Sequence, residues 1–225
     1  KVLLAIDGYR YNGRDYDRGE AVAAIAGECD ARVVRLGYLD GTGWEDGFLG
    51  PEDAPLQSAS VPFDHPLWVL YSSGTTGLPK AIVQGQGGIL LEHLKKLNLH
   101  VDAHPGDRLF WFTTTGWMMW NFLVSGLLTD ATVLLYDGSP GHPDMDVLWD
   151  FAARTQMTTF GTSASYIGAC MKAGVEPASG RDLSALRAVG STGSPLAPEG
   201  FRWVYEHVGD DTWLFSTSGG TDLCT

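Results

Sequence analysis

The sequence predicts an α/β fold, with largely parallel sheets flanked by helices in βαβ units. The first observation is that short β-branched runs alternate with helical patterns, and Gly, Pro, Ser or Asp stands at each junction. The second is that segments rich in Gly, Ser and Thr follow predicted strands at 72–77, 113–116, 190–194 and 216–221. Because ligands of parallel sheets bind beyond the carboxyl ends of the strands, these segments are predicted to form one composite site.

Residues 1–64 are predicted to be the end of an N-terminal lobe and a connecting loop. Val2–Ile6 and Ala31–Leu36 are short apolar runs with β-branched residues, which is typical of strands. Gly19–Cys29 lies between them and is rich in Ala, which favours a helix. Residues 37–64 contain many Gly, Pro and Asp and show no period, so a loop or lobe junction is expected there.

Residues 65–225 are predicted to be one core lobe in which strands and helices alternate. The strands are short β-branched or aromatic runs, and the helices carry apolar residues at helical spacing, as in Leu90, Leu94 and Leu97. The predicted strands are Leu67–Tyr71, Ala81–Gln84, Arg108–Thr113, Thr132–Tyr136, Thr158–Gly161, Leu186–Val189 and Thr212–Phe215. The predicted helices are about 87–99, Met118–Leu128, Asp146–Thr155, Ala164–Ala173 and Pro198–His207. This order implies a sheet that is covered on both faces.

The composition excludes several classes of partner. The net charge is −12 and the isoelectric point is about 4.7, which argues against nucleic acid and against an anionic membrane. The longest apolar stretch, residues 117–136, is interrupted by Asn121, Ser125 and Asp130, so no membrane span is predicted. Because the overall field repels anions, a phosphate ligand must be held by local donors.

The cysteines and histidines do not suggest a metal site. Cys29, Cys170 and Cys224 are odd in number and widely spaced, without metal-ligand spacing. Buried or idle thiols in a reducing compartment are therefore expected, which favours the cytoplasm. The six histidines show no paired metal spacing and are expected to be structural or solvated.

A hydroxyl- and glycine-rich loop between two predicted strands is the most specific motif. It consists of Ser72, Ser73, Gly74, Thr75, Thr76 and Gly77, and Lys80 follows after Leu-Pro. Glycines let main-chain N–H groups approach an anion, hydroxyls add donors, and the lysine supplies a positive charge. These features are typical of a phosphate-binding loop, which we call the cradle, although it lacks the Gly-Lys-Ser/Thr of a Walker A motif. The alternative is a polar turn without a ligand.

Residues 70–80 closely resemble the signature of the adenylate-forming enzymes, a family of acyl-CoA synthetases, luciferases and peptide-synthetase adenylation domains. Three other segments agree with the family in order and spacing. Residues 190–196 resemble its Gly-x-x-Gly-Glu-Pro adenine loop, 115–117 its Gly-Trp acyl-pocket segment and 218–222 its Tyr-Gly-x-Thr-Glu motif. Within the family the chain is most similar to the acyl-CoA synthetases. The resemblance covers essentially the whole chain, but only the middle of a longer family member.

The resemblance implies a nucleotide site. The residues implied to bind ATP are Ser72, Ser73, Gly74, Thr75, Thr76, Gly77 and Lys80 at the β- and γ-phosphates, Gly193, Ser194, Pro195 and Ser218 at the adenine, and Thr221 at the α-phosphate. Thr76, Lys80 and Thr221 are implied to act in catalysis, and Asp222 to help hold Mg²⁺. Ser218 stands where the family has an aromatic residue that stacks on adenine.

The resemblance also implies an acyl pocket. Its implied residues are Trp117, Met118, Met119, Gly219 and Gly220. Gly219 stands where the acetyl-specific members have a tryptophan, and the missing indole leaves room for a longer or oxo-bearing acid. For Met119 the alternative is a residue of a packed helix in the core.

The implied reaction joins an acid to a thiol, with ATP and coenzyme A as the other substrates. Acetoacetate is the implied acid, and another short or medium-chain acid stays open. A non-catalytic nucleotide-binding module is the alternative from a different class. The family's small C-terminal domain, which carries the lysine that completes adenylation, is absent from these 225 residues, so the chain alone is expected to be inactive.

Overall fold

The computed structural model describes residues 1–72 and 77–225, which form two compact units. The first unit contains Lys1–Ala59 together with Gly141–Pro143. The second contains Ser60–Pro140 and Asp144–Thr225. The division into lobes between residues 64 and 65 stays a prediction from the sequence.

The first unit is built from a small sheet, a hairpin and one helix. Its elements are β1 (Val2–Ile6), β2 (Gly8–Tyr11), β3 (Arg14–Asp17), α1 (Gly19–Cys29), β4 (Arg32–Gly37) and β5 (Gly43–Trp44). β4 is the middle strand of the sheet, parallel to β1 and antiparallel to β5. β1, α1 and β4 match the prediction, whereas the hairpin β2–β3 was not predicted. Its two-residue turn is Asn12-Gly13, both at positive φ, which is a strong hairpin signal.

Asp7 fastens the end of β1 to the chain that follows β4. Its carboxylate accepts main-chain N–H bonds from Tyr38, Leu39 and Asp40, at 2.8, 2.9 and 3.1 Å. These bonds, led by that of Leu39, lower the pKa of Asp7 to about 2. Asp7 is therefore a charged structural group of the first unit.

A five-stranded, fully parallel sheet organises the second unit and confirms the predicted fold class. Its strands are β8 (Arg108–Trp111), β9 (Thr132–Leu134), β10 (Thr159–Ser163), β11 (Ala188–Thr192) and β12 (Trp213–Ser216). The strand order across the sheet is β12-β11-β10-β8-β9. A separate antiparallel hairpin, β6 (Pro66–Ser72) with β7 (Lys80–Gly85), carries the cradle between its strands.

Helices cover both faces of the sheet, as is usual for a sheet whose strands are all parallel. They are α2 (Gln86–His100), α3 (Met119–Val124), α4 (Val147–Thr155), α5 (Ala164–Ala173) and α6 (Pro198–His207). The single helix predicted over Met118–Leu128 was wrong in its second half, which is a 3₁₀-helix at Ser125–Thr129. Gly126 in that helix approaches the sheet so closely that a Cβ would lie 2.9 Å from Leu109.

Two cores lie on opposite faces of the sheet because side chains alternate along each strand. On one face Phe160 stacks on Trp149 of α4, with ring centroids 4.5 Å apart. On the other face Trp111 packs with residues of α2 and α3. Gly161 and Gly190 make room there for the indole of Trp111.

Among the residues that the structure describes, no helix combines the length and the apolar character needed to cross a bilayer.

Candidate functional site

A cleft of about 510 Å³ lies at the carboxyl ends of the parallel strands, where the sequence predicted a composite site. Three separate segments line it: residues 117–119 after β8, 192–195 at the end of β11, and 216–221 at the end of β12. These segments contain ten of the residues implied to bind nucleotide or acyl group: Trp117, Met118, Met119, Gly193, Ser194, Pro195, Ser218, Gly219, Gly220 and Thr221. The fold therefore brings together two of the four Gly, Ser and Thr segments, 190–194 and 216–221, with residues 117–119, which directly follow the segment 113–116.

The segment after β11 turns at Gly193. This residue has φ +88°, a left-handed conformation that favours glycine. Thr192 Oγ1 donates to the Thr217 carbonyl at 3.0 Å, and the Thr217 N–H donates to the Ser191 carbonyl at 2.8 Å. These bonds join the ends of β11 and β12 into one wall of the cleft.

The segment after β12 folds back on itself in a turn over residues 220–225. The Gly220 N–H donates to the Thr225 carbonyl at 3.0 Å, and the Cys224 N–H to the Gly220 carbonyl at 2.9 Å. A Cβ on Gly219 would overlap the Thr225 carbonyl, so this position admits no side chain unless the turn moves. The close main-chain approach is thus a second reason for glycine at 219, besides the predicted room for an acyl group.

Trp117, Met118 and Met119 form the third wall. Met118 and Met119 are buried and belong to the core on the α2 and α3 face of the sheet, and Trp117 packs against that core half-buried. The two roles considered from the sequence, cleft wall and core packing, are therefore compatible. Flexible methionine side chains suit a surface that must fit a ligand while remaining packed.

The cradle is only partly described. Ser73, Gly74, Thr75 and Thr76 lie outside the described residues. Ser72 and Lys80 pair directly across the hairpin, so the two ends of the cradle meet at the ends of β6 and β7. The described residues of the cradle are Ser72, Gly77 and Lys80, and none of these three lines the cleft. Lys80 is exposed, as a lysine that meets a ligand from solvent would be.

Gln84 of β7 is a buried site residue that sequence reasoning missed. Its Nε2 donates to the main-chain carbonyls of Thr221 and Asp222, at 2.7 and 3.1 Å. Its Oε1 accepts from Trp68 Nε1 at 2.5 Å. The sequence does carry a signal for this role, because the polar Gln84 lies on the same face of β7 as the apolar Ile82.

His93 of α2 holds the other end of the 220–225 turn. Its Nε2 bonds to the Cys224 carbonyl at 2.8 Å, and its Nδ1 bonds to Ser125 Oγ. The ring is fully buried, and burial lowers the pKa of His93 despite the opposing hydrogen bond to Cys224 and the charge of Glu92. His93 is therefore structural, as predicted.

Lys96 of α2 reaches the wall of the cleft. Its Nζ donates to Thr217 Oγ1 at 2.8 Å, and burial, together with the neighbouring Lys95, lowers the pKa of the ammonium. Lys96 is half-buried, because its side chain extends towards the end of β12.

No group of three His, Cys, Asp or Glu side chains that could hold a metal occurs in the described part of the chain. Asp222 is exposed beside the cleft, and one carboxylate fits a hard cation whose other ligands come from phosphates and water.

Comparison with known proteins gives consistent results. Acetoacetyl-coenzyme A synthetase of Rhizobium meliloti (strain 1021) is 48% identical over 99% of this chain and 36% of its own length. Malonamoyl-CoA synthetase of Penicillium aethiopicum is 45% identical over 77% of this chain and 26% of its own length. The solved structure of acetoacetyl-CoA synthetase from Streptomyces lividans is 58% identical and has a TM-score of 0.92, covering 100% of this chain and 36% of that one.

The chain thus spans about a third of the length of the acetoacetyl-CoA synthetases it resembles. The model of the AMP-binding enzyme family matches residues 12–224, which is almost the whole sequence. The predicted resemblance to the adenylate-forming enzymes is confirmed, and the chain belongs to the AMP-binding enzyme family.

Proposed function

We propose that the chain is the nucleotide- and acyl-binding part of an ATP-dependent acid–thiol ligase, which activates acetoacetate as an acyl-adenylate and transfers it to coenzyme A. The observation that carries this proposal is the convergence of residues 117–119, 192–195 and 216–221 on one cleft. The relatives named as acetoacetyl-CoA synthetases support the choice of acid and thiol.

The nucleotide is proposed to lie between the cradle and the turn after β12. Gly193, Ser194, Pro195 and Ser218 border the adenine. Small residues allow a close approach of the main chain there. Thr221 contacts the α-phosphate, and the cradle with Lys80 holds the β- and γ-phosphates. Mg²⁺ at Asp222 would neutralise phosphate charge.

The reaction requires charge stabilisation more than covalent chemistry by the protein. A carboxylate oxygen of the acid bonds to the α-phosphorus while the bond from that phosphorus to the β-phosphate oxygen breaks. Pyrophosphate then leaves with additional charge, which Lys80 and the cradle donors stabilise. The thiol of coenzyme A subsequently attacks the acyl carbonyl, and AMP leaves.

The acid is proposed to bind against Trp117, Met118, Met119, Gly219 and Gly220. Acetoacetate and malonamate, the acids implied by the names of the relatives, both carry a carbonyl two carbons from the carboxylate. A pocket bounded by glycine on one side accommodates such acids more readily than one closed by an indole. Another short or medium-chain acid remains the alternative.

Acid-dependent exchange of pyrophosphate into ATP tests this function in the complete protein. Butyrate is the matched competitor, because it has the shape of acetoacetate without the oxo group. We expect kcat/KM for acetoacetate to exceed that for butyrate by at least about tenfold. Equal values would contradict the choice of acid, and exchange that does not depend on any acid would contradict the ligase.

The proposed compartment is the cytoplasm. Cys170 and Cys224 are buried, Cys29 is exposed, and all three are free thiols, which suits a reducing environment. The proposed partners are the small acid, ATP and coenzyme A, and a net charge of −12 disfavours nucleic acid or an anionic membrane.

A further inference from the structure

Gln84 links two parts of the second unit that are far apart in sequence. It stands in β7, four residues after Lys80, and its amide reaches the carbonyls of Thr221 and Asp222 at 2.7 and 3.1 Å. The side chain is 7% exposed, so these hydrogen bonds are shielded from water. A shielded bond to a main-chain carbonyl fixes a distance more firmly than one made at the surface.

The partners require an amide at this position. Trp68 Nε1–H can only donate, so the atom of Gln84 that faces it is the oxygen. The two carbonyls can only accept, so the atom that faces them is the nitrogen, which has two hydrogens to give. A carboxylate has no hydrogen for these carbonyls, and an aliphatic side chain would leave buried polar groups without partners.

The bonds end on the main chain of two residues with proposed ligand roles. Thr221 lines the cleft and is proposed to contact the α-phosphate, and Asp222 is proposed to hold Mg²⁺. Because Gln84 bonds to their carbonyls, it fixes their backbone without engaging their side chains. At the far end of the same turn, His93 bonds to the carbonyl of Cys224, so the turn is anchored at both ends.

We propose that Gln84 is a positioning residue, which sets the distance between the Lys80 end of the cradle hairpin and the Thr221–Asp222 main chain. The inference rests on the proposed function, since it is the reacting triphosphate that spans these two places. A displacement of about 1 Å in groups that orient a reaction costs about 100-fold in rate. Gln84 therefore acts on turnover without touching the substrate.

The test is Gln84→Glu in the complete protein, assayed by acid-dependent pyrophosphate exchange. The glutamate keeps the size of the side chain and its acceptor for Trp68, but directs an oxygen at two carbonyl oxygens. We expect kcat to fall about 100-fold, with the KM for the acid unchanged within about twofold. Because a buried glutamate among acceptors has a raised pKa, the ratio of variant to wild-type kcat should rise as the pH falls and the carboxyl regains a hydrogen.

Two further variants separate positioning from stability. Gln84→Met has similar size but no hydrogen bonds and no charge, so its kcat should fall at least about tenfold, with no pH-dependent recovery. Trp68→Phe removes only the indole donor and leaves both bonds to the carbonyls, so kcat should fall less than about threefold. Thermal unfolding of each variant establishes that the assay is made on folded protein.

Two outcomes would overturn the proposal for Gln84 alone. One is a kcat equal to that of the wild type in both Gln84→Glu and Gln84→Met. The other is a rate loss in Gln84→Glu that follows the unfolded fraction and does not recover as the pH falls. If the wild-type protein itself shows no acid-dependent exchange, the proposed function fails and the role of Gln84 fails with it.

Discussion

At the residue scale, a few buried polar side chains hold the main chain that borders the cleft. Gln84 and His93 both bond to carbonyls of the 220–225 turn, and Lys96 bonds to the hydroxyl of Thr217. These three residues lie in one stretch of chain, β7 and α2, which directly follows the cradle. The cleft wall formed after β12 therefore depends on side chains that lie more than a hundred positions earlier in the sequence.

His93 gives stability a specific dependence on pH. Burial lowers the pKa of His93 below its usual 6.5, so the folded protein keeps the ring neutral while the unfolded chain binds a proton below that pH. The stabilisation is therefore present above pH 6.5 and is lost as the pH falls towards the pKa of the folded state.

We expect the unfolding free energy of the wild type to decrease between about pH 7 and about pH 5, by at most about 1.4 kcal/mol per pH unit from this one group. In His93→Gln, which keeps a donor for the Cys224 carbonyl but does not titrate, that contribution should vanish. Urea unfolding of both proteins over this pH range measures the difference between their unfolding free energies. The other histidines contribute equally to both proteins, so their contributions cancel in that difference. An identical pH dependence of the unfolding free energy in the two proteins would contradict the lowered pKa of His93.

At the element scale, the indole of Trp111 packs over Gly161 and Gly190. It joins the parallel sheet to the layer formed by α2 and α3. A Cβ on Gly190 would lie 2.7 Å from the Trp111 ring and 2.8 Å from that of Phe215, and a Cβ on Gly161 would overlap the indole itself. The two glycines pair in register on β10 and β11, so the ring covers both strands. This packing fixes the strands whose ends carry the cleft.

Gly161→Ala is expected to destabilise the protein by about 1–3 kcal/mol, because the added methyl group overpacks a filled core. The matched control is Gly168→Ala in α5, where a Cβ meets no atom within 4 Å and should stabilise the helix by about 0.5–1 kcal/mol. Thermal unfolding compares the two. Equal effects would show that the indole does not constrain this position.

Most helices and strands could be predicted from the sequence, because the spacing of apolar residues within each segment shows a helical or a strand period. The main differences from the prediction have local causes: the Asn12-Gly13 pair forms the turn of a hairpin, and the helix predicted over Met118–Leu128 changes to a 3₁₀-helix where Gly126 approaches the sheet. The anchoring residues of the site were not predictable in the same way. Sequence patterns do not show which distant carbonyl Gln84 or His93 will meet.

At the scale of the whole molecule, an acidic chain is proposed to bind a polyanion. With a net charge of −12, attraction cannot come from the overall field and must come from local donors. The side chains that can serve as such donors include the exposed hydroxyls of Ser194 and Ser218, which line the cleft, and the exposed ammonium of Lys80 in the hairpin. The cradle is therefore proposed to hold the terminal phosphates while the cleft holds the nucleoside end.

That division predicts that Lys80 contributes to the binding of ATP but not of AMP. Calorimetric titration of the complete protein with ATP and with AMP, in wild type and in Lys80→Ala, measures this most directly. Lys172→Ala, at an exposed lysine of α5, is the control. We predict that Lys80→Ala raises the Kd for ATP about 30-fold, the equivalent of about 2 kcal/mol from one charged hydrogen bond, and leaves the Kd for AMP unchanged within about twofold. Equal losses for both nucleotides, or no loss for ATP, would contradict the claim.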